Sequence, residues 1–281
     1  MMTVLEVVRK TAEFFSSKGI EAPRLNAELL VGHALSLPRM RLYLEFERPV
    51  SETELGVIRE YVRRRGRHEP VQHIIGFTDF HGLRIKTDRR ALIPRPETEF
   101  LAEIVVGRWK EPPRSVLDLG TGTGVLALAL AKAFPSARVT AVDASRDALA
   151  LASENAEAAG LSDQVTFLQS DWFQALPAGD AFDLVVSNPP YLSVEETAAA
   201  SPEVRDFEPG SALTAGDEGF AELARIIAGS VGRFAPGGML ALECGTGHRP
   251  RLESALGAAG FVRVEALNDL AGRPRYVLAW R

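Results

Sequence analysis

VLDLGTGTGVLALALA, Val116 to Ala131, holds three signals in one short stretch. Val116, Leu117 and Leu119 make an apolar run of strand length. Glycines at 120, 122 and 124 then break the run, and from Val125 onward alanine and leucine, both strong helix formers, take over. A glycine-rich turn between a strand and a helix lets backbone approach a ligand closely at a sheet edge. Glycines also make tight turns for structural reasons alone, so the loop gains meaning only from what surrounds it.

Outward from this stretch the alternation continues. RVTAVD reads as a strand and RDALALASENAEAAG as a helix closed by Gly160; QVTFLQSD and FDLVVSNPP are two further strands. GGMLALECG, FVRVEAL and RYVLAW complete a set of seven. Repeated strand–helix units specify a mostly parallel sheet covered on both faces. The last two strands are joined only by NDLAGRP, too short for a crossover helix, so they form an antiparallel hairpin at one edge. This layout is similar to that of the Rossmann-like methyltransferases.

The region before it has helical spacing instead. Val4, Val7, Val8, Thr11, Phe14 and Phe15 form one stripe. A second helix is expected over Pro23–Leu35, with Leu25, Leu29 and His33 on one face. Ser51 and Glu54 read as a capping box that opens a third, with Leu55, Ile58 and Val62 inward. The expected division is therefore a small helical bundle over residues 1–70, a hairpin-bearing linker over 71–95, and an α/β domain over 96–281. His33 reads as a half-buried core residue.

Composition narrows the function classes. Residues 1–90 carry 16 Lys/Arg against 12 Asp/Glu, a balance of +4, while the remainder carries 16 against 25, or −9. An acidic larger part argues against a broad, sequence-specific DNA-binding surface. The basic excess is concentrated in RRRGR, Arg63–Arg67, with Arg59 one turn earlier. Two readings stand: a solvated helix end, where cations are favoured, or a contact patch for an acidic partner. No apolar run approaches the ~20 residues needed to span a bilayer, and the amphipathic start does not resemble a signal peptide. A cytoplasmic globular protein is expected. Cys244 is the single cysteine, which leaves no internal disulfide and no Cys-rich metal site; it reads as a core thiol, and no metal is expected.

Asp118 places a carboxylate beside the glycine loop, where it repels a pyrophosphate but pairs with an ammonium group. Thr121 and Thr123 add polar capacity. Gly122, Gly124 and Ala127 also fit a relaxed nicotinamide-binding loop, but that fingerprint calls for no proline-blocked strand further on. A ligand with a cationic amino-acid part and a nucleoside fits better, which describes S-adenosylmethionine. Asp143 ends the next strand, 25 residues after Asp118, and suits ribose hydroxyls; it equally suits a turn or cap, as does Ser145. Asp171 and Trp172 end the third strand, the acid suited to the adenine amino group and the indole to an apolar wall over the ring. These positions, in order at successive strand ends, define a cofactor pocket of Asp118, Gly120, Thr121, Gly122, Thr123, Gly124, Asp143, Asp171, Trp172 and Asn188.

DLGTGTG, Asp143, SDW and NPPY resemble the successive motifs of class I S-adenosylmethionine-dependent methyltransferases that modify planar nitrogen. EPVQHIIG (Glu69–Gly76), LIPRPETE (Leu92–Glu99), NPPYL (Asn188–Leu192), FEPGSAL (Phe207–Leu213) and DLAGRPR (Asp269–Arg275) extend the resemblance over about the whole chain to the HemK/PrmC family of release factor glutamine N5-methyltransferases. It departs at His248, where a glutamine is expected after LECG, and at His73, where an aromatic is common. The resemblance implies S-adenosylmethionine as methyl donor, S-adenosylhomocysteine as product, class I peptide chain release factors as partners, and a helical domain that helps to dock them. It also implies that Asn188, Pro189, Pro190 and Tyr191 hold the target glutamine, and that LIPRPETE borders the pocket, near enough for Arg95 and Thr98 to touch ligand or substrate.

The chemistry of NPPY agrees with that implication. Proline lacks the donor a strand needs, so FDLVV must stop there. An amide nitrogen is a poor nucleophile, and two acceptors, the Asn188 side-chain oxygen and the Pro189 carbonyl, suffice to orient its NH2 group. Pro190 stiffens the loop, and Tyr191 packs on the flat amide. The same geometry suits the exocyclic amine of adenine after base flipping, or a glutamine of a ribosomal protein; a strand terminator with a packed tyrosine is the plainest alternative.

Overall fold

A computed structural model describes residues 2–281. Two compact units are present: one holds the chain up to Phe77 together with Ser201–Phe207, and the other holds Thr78–Ala200 and Glu208–Arg281.

In the first unit, α1 (Val4–Ser17), α2 (Pro23–Ala34), α3 (Arg39–Leu44), α4 (Glu52–Arg65) and α5 (Val71–Ile75) follow one another. Capping boxes open α1 and α4: Thr3 with Glu6, and Ser51 with Glu54, each satisfy two otherwise unpaired backbone donors. Val4, Val7, Val8 and Phe15 of α1 pack with Leu55 and Ile58 of α4, while Phe14 lies outside the stripe and is partly exposed.

The face of α2 differs from the sequence expectation. Ala27, Leu30 and Val31 point inward together with Asn26 and Glu28, whereas Leu25 is exposed and Leu29 and His33 are half-buried. The inward polar residues are what hid the stripe. Glu28 is held by Arg24, Arg39 and the Tyr43 hydroxyl, and Asn26 Oδ1 accepts from Arg65 at 2.8 Å. Arg65 itself is 2% exposed. A buried guanidinium is tolerable only when it is fully paired, and Asn26, the Glu69 carbonyl and Glu203 supply its partners. Within the basic run Arg65 is buried and Arg64 half-buried, whereas Arg63 and Arg67 are exposed. Arg63 pairs with Glu60, Arg64 with Glu69, and Arg65 is structural. His33 lies among Tyr61 and Phe77, where burial lowers its pKa.

A hairpin follows, β1 (Phe77–Phe80) and β2 (Leu83–Lys86), the second unit beginning at Thr78 within β1, and then α6 (Pro96–Val106). Then come β3 (Ser115–Leu119), α7 (Val125–Ala133), β4 (Arg138–Asp143), α8 (Arg146–Ala159), β5 (Val165–Gln169) and β6 (Phe182–Ser187). Two short helices follow, α9 (Val194–Ala199) and α10 (Pro202–Phe207), the latter part of the helical unit. After them come α11 (Ala221–Ser230), β7 (Phe234–Glu243), α12 (Arg249–Ala258), β8 (Arg263–Asn268) and β9 (Pro274–Trp280).

The seven-stranded sheet runs β5-β4-β3-β6-β7-β9-β8. The first five are parallel, and β9 is antiparallel to both β7 and β8. The terminal hairpin is at the edge as expected, with β8 outermost and β9 inserted beside β7. Strand residues alternate between two cores. Val116, Leu184, Val186 and Ala241 join α6 and α7 on one face, while Leu117, Leu119, Val185 and Leu240 join α11 and α12 on the other. Successive strands leave β3 in opposite directions, so the carboxyl ends of β3 and β6 flank a switch point, the natural crevice for a ligand. The glycine loop follows β3 and NPPYL follows β6.

Candidate active site

A cavity of about 380 Å³ opens at this switch point. Asp118, Gly120, Thr121, Gly122, Thr123, Asp143, Asp171, Trp172 and Asn188 all line it, whereas Gly124 is set back as the N-cap of α7. Asp118 is 1% exposed. Its Oδ2 accepts from the Thr121 hydroxyl at 2.6 Å and from the Ala127 amide at 3.2 Å, while Oδ1 is buried without a partner among the described residues. Burial pushes this carboxyl up to about 7, only partly offset by those two bonds. An unsatisfied buried acceptor on a cavity wall calls for a cationic donor, and the ammonium of an amino-acid ligand meets that need.

Asp143 accepts from the Gly122 amide at 2.9 Å and from the Ser145 amide at 2.9 Å, and Ser145 caps α8. The turn reading of this acid holds, with Ser145 as the cap itself, and Asp143 also braces the glycine loop and borders the cavity. Gly120 adopts φ +70°, and a Cβ there would lie 3.3 Å from the Trp172 ring. The indole therefore covers the loop at van der Waals distance, and its N–H donates to Glu222 at 2.6 Å. Trp172 has φ +50°, an uncommon conformation for a bulky residue. The Ser170 hydroxyl, which donates to the Trp172 carbonyl and accepts from the Ala175 amide, holds the turn. Asp171 sits at the rim in an exposed ion pair with Arg225 at 2.6 Å.

On the opposite wall, the Ser187 hydroxyl donates to the Leu119 carbonyl at 2.7 Å and ties the two strand ends together. Asn188 and Pro190 line the cavity; Pro189 is buried and Tyr191 half-buried behind them. Asn188 Nδ2 donates to Thr98 Oγ1 at 2.9 Å, and Thr98 donates to Glu243 Oε2 at 2.8 Å. The Tyr191 hydroxyl donates to Glu243 Oε1 at 3.0 Å and accepts from Arg275 at 3.2 Å. The Arg275 guanidinium lies 5.6 Å from the Tyr191 ring centroid. Glu243 is 1% exposed, and burial pushes its carboxyl up to about 6. Burial also drives the Tyr191 hydroxyl well above its usual range, so it stays a donor. The neighbouring Cys244 thiol is pushed up to about 12, which makes it inert as a nucleophile.

Two further elements fix this wall. The Leu192 amide donates to the Leu213 carbonyl, and the Ala215 amide donates to the Leu192 carbonyl. Asp217, Glu218 and Gly219 all have positive φ, and a Cβ on Gly219 would lie 2.1 Å from the Tyr191 carbonyl oxygen. His248 Nε2 is 3.0 Å from the Glu218 carbonyl; a carbonyl only accepts, so Nε2 carries the proton. Arg95 pairs at 2.5 Å with Glu208, whose carboxylate is 1% exposed, joining IPRPE to FEPG.

Two family models match the chain: the PrmC N-terminal domain over residues 6–76 and the methyltransferase small domain over residues 97–203. The release factor glutamine methyltransferase of Rhodopirellula baltica is 41% identical, covering 97% of this chain and 94% of its own. That of Chlorobaculum tepidum is also 41% identical, covering 95% and 93%. The chain belongs to the release factor glutamine methyltransferase family. Its fold is that of class I methyltransferases. The N-terminal domain of human METTL16, solved in complex with SAH, superposes with a TM-score of 0.52 at 19% identity over 71% of this chain and 76% of that one.

For a release factor glutamine methyltransferase the motifs now have physical content. Thr98 of LIPRPETE is an intermediate between Asn188 and Glu243, and Arg275 of DLAGRPR meets the NPPY tyrosine. The sequence reading missed Glu243 and Arg275 as site residues. Glu243 ends an apolar strand, and a charge completing MLALE was a signal in plain view, since a carboxylate in such a position must find buried partners. Nothing local marked Gly219.

Proposed function

We propose that this protein transfers the methyl group of S-adenosylmethionine to the side-chain amide nitrogen, N5, of the glutamine in the Gly-Gly-Gln loop of class I peptide chain release factors. S-adenosylhomocysteine is the other product. The observation that carries this reading is the presence of two unmet acceptors, at the ends of neighbouring strands, in the lining of one cavity. Among the described residues neither Asp118 Oδ1 nor Asn188 Oδ1 receives a hydrogen bond.

When bound, S-adenosylmethionine supplies an electrophilic sulfonium methyl. Asp118 holds its ammonium, Asp143 the ribose hydroxyls, and Trp172 covers the base with Asp171 at its edge; the loop of Gly120, Thr121, Gly122, Thr123 and Gly124 makes room for it. Asn188 Oδ1 and the Pro189 carbonyl would accept the two hydrogens of the glutamine NH2 and aim its nitrogen at the methyl donor, and the proton that the nitrogen gives up on methylation would pass to water. Orientation of this kind is worth about 7–11 kcal/mol relative to a bimolecular encounter, and acceptors aimed at developing positive charge add to it. Pro190 stiffens the loop and Tyr191 backs it. The helical unit is assigned to docking the folded partner, and a cytoplasmic location suits a reaction on the translation machinery. No helix among the described residues is long and apolar enough to cross a membrane.

Incubation with methyl-labelled S-adenosylmethionine and a class I release factor tests the assignment. Label is expected on the factor and absent when its Gly-Gly-Gln glutamine is changed to alanine. Label that persists in that variant refutes the substrate, and transfer to duplex adenine without transfer to protein replaces it.

A further inference from the structure

Asn188 is useful as an acceptor only if its amide is turned the right way. An asparagine side chain is nearly symmetric in shape, and its oxygen and nitrogen exchange places by a half-turn about χ2. In one orientation the cavity meets a carbonyl oxygen that accepts from an incoming NH2 group. In the other it meets a second NH2 group and repels it. Backbone around Asn188 does not make that choice, because its side-chain nitrogen bonds to another side chain, Thr98.

The choice is made three residues deep. An ionised carboxylate only accepts. Glu243 Oε2, 2.8 Å from Thr98 Oγ1, therefore takes the single hydroxyl proton of Thr98. With its proton committed, Thr98 Oγ1 can only accept from Asn188, at 2.9 Å. The Asn188 NH2 group must then face Thr98, and Oδ1 must face away from it. Tyr191, from the same NPPY segment, donates to the second oxygen of Glu243 at 3.0 Å and is kept in that role by the Arg275 donor at 3.2 Å. One buried carboxylate thus sets the direction of the side-chain hydrogen bonds from Thr98, Asn188 and Tyr191 behind the substrate wall.

We propose that Glu243 and Thr98 are positioning residues that lock the orientation of the Asn188 amide, so that its oxygen is presented to the substrate nitrogen. The inference rests on the glutamine methyltransferase reading for its kinetic consequence, but the lock is a property of the protein without substrate. It also has a pH signature. Protonated Glu243 can donate to Thr98, which frees the Thr98 hydroxyl to donate to Asn188 Oδ1 and turns the amide around. The charged and titratable groups facing Glu243 are Glu97 from α6, Tyr191, Cys244 just after its own strand, and Arg275 and Tyr276 from β9. Burial raises both tyrosines and the cysteine, so they keep their protons near neutral pH.

The test combines kinetics with a readout on the substrate-free protein. Thr98→Val removes the hydroxyl at nearly constant volume. Its kcat for release-factor methylation is expected to fall on the order of 10- to 100-fold, as for a small misplacement of a reacting group, with cofactor affinity changed less than about 3-fold. Thr98→Ser is expected to restore most of the rate. In wild type, kcat falls as pH drops through about 6; in Glu243→Gln that acid limb is absent. The Asn188 side-chain NH2 resonances, assigned by their loss in Asn188→Ala, are expected to shift in Thr98→Val and to titrate with Glu243 in wild type. A wild-type kcat in Thr98→Val, or Asn188 resonances indifferent both to Thr98→Val and to pH, overturns the lock. Glu243→Gln reads the same chain of bonds from its far end should Thr98→Val fail to fold. A wild-type enzyme that leaves the release factor unlabelled refutes the substrate assignment instead, and the resonances still decide the lock.

Discussion

On the cofactor wall, Asp118 reaches Thr121 and Ala127 over 3 and 9 residues of chain, and Asp143 reaches Gly122 over 21. On the substrate wall, Asn188 reaches Thr98 over 90 residues, Thr98 reaches Glu243 over 145, and Arg275 reaches Tyr191 over 84. The first wall begins as one strand–turn–helix unit with its neighbour, formed once β3 and β4 pair. It is closed by Trp172 and Asp171 after β5, which α11 holds over 50 and 54 residues. The second exists only after α6, β6, β7 and β9 have all come together. Its side chains have no local reason to adopt their orientations, so it concentrates long-range dependence at the point where orientation matters most.

Changes on either side can pull the two walls apart. The largest expected effect is that of Asn188→Ala. It removes an acceptor used at the reacting nitrogen, so kcat should fall about 10²- to 10³-fold while calorimetric cofactor affinity stays within about 3-fold. Loss of cofactor binding in parallel would mean that the walls are not separable. Asp118→Asn is the converse: cofactor affinity weakens by about 1.5–3 kcal/mol, the range for hydrogen bonds to charged groups, with a smaller effect on the rate at saturation.

The same acid yields a pH prediction. Its folded-state pKa is raised from 3.8 to about 7 by burial. Between those values the native protein holds a proton that the unfolded chain has released. Stability of the ligand-free protein therefore declines as pH climbs through this window and levels off above it. Glu243 adds a slope of the same sign over the narrower range from 4.5 to about 6. Urea unfolding from about pH 4 to 8 should show the decline, and Asp118→Asn should flatten it; an unchanged slope would mean that Asp118 is not the group responsible.

Gly219→Ala comes next. A methyl group 2.1 Å from the Tyr191 carbonyl must displace the loop, costing about 1–3 kcal/mol of stability by overpacking and lowering kcat more than it weakens the cofactor. Arg225→Ala should do least. Its pair with Asp171 is about half exposed on both sides, and exposed pairs contribute about 0–1 kcal/mol. A cofactor affinity loss beyond about 5-fold there would make Asp171 a stronger ligand than its exposure implies.

Legibility followed the same division. The strands from Val116 to Trp280, the glycine loop, the capping box at Ser51 and the terminal hairpin carry short-range signals of period, capping and turn chemistry. The inward face of α2 was misread because its stripe includes Asn26 and Glu28, polar residues whose burial makes sense only with Arg65, Arg39 and Tyr43 in place. The short helices α3 and α5 have too few turns to show a period. That Ser201–Phe207 belongs to the helical unit has no local signature, because that assignment depends on partners far away in the chain.

Residue order alone specified the individual strands and helices, an acid-lined glycine loop and an Asn-Pro-Pro-Tyr strand end, because each depends on residues within a few turns of one another. The resemblance of that motif series implied the class I methyltransferase sheet. Tertiary structure decided what stands behind the asparagine. A buried carboxylate from β7, a hydroxyl from α6 and a guanidinium from β9 meet there, and the direction of their hydrogen bonds is fixed only when all three are out of water and must satisfy each other.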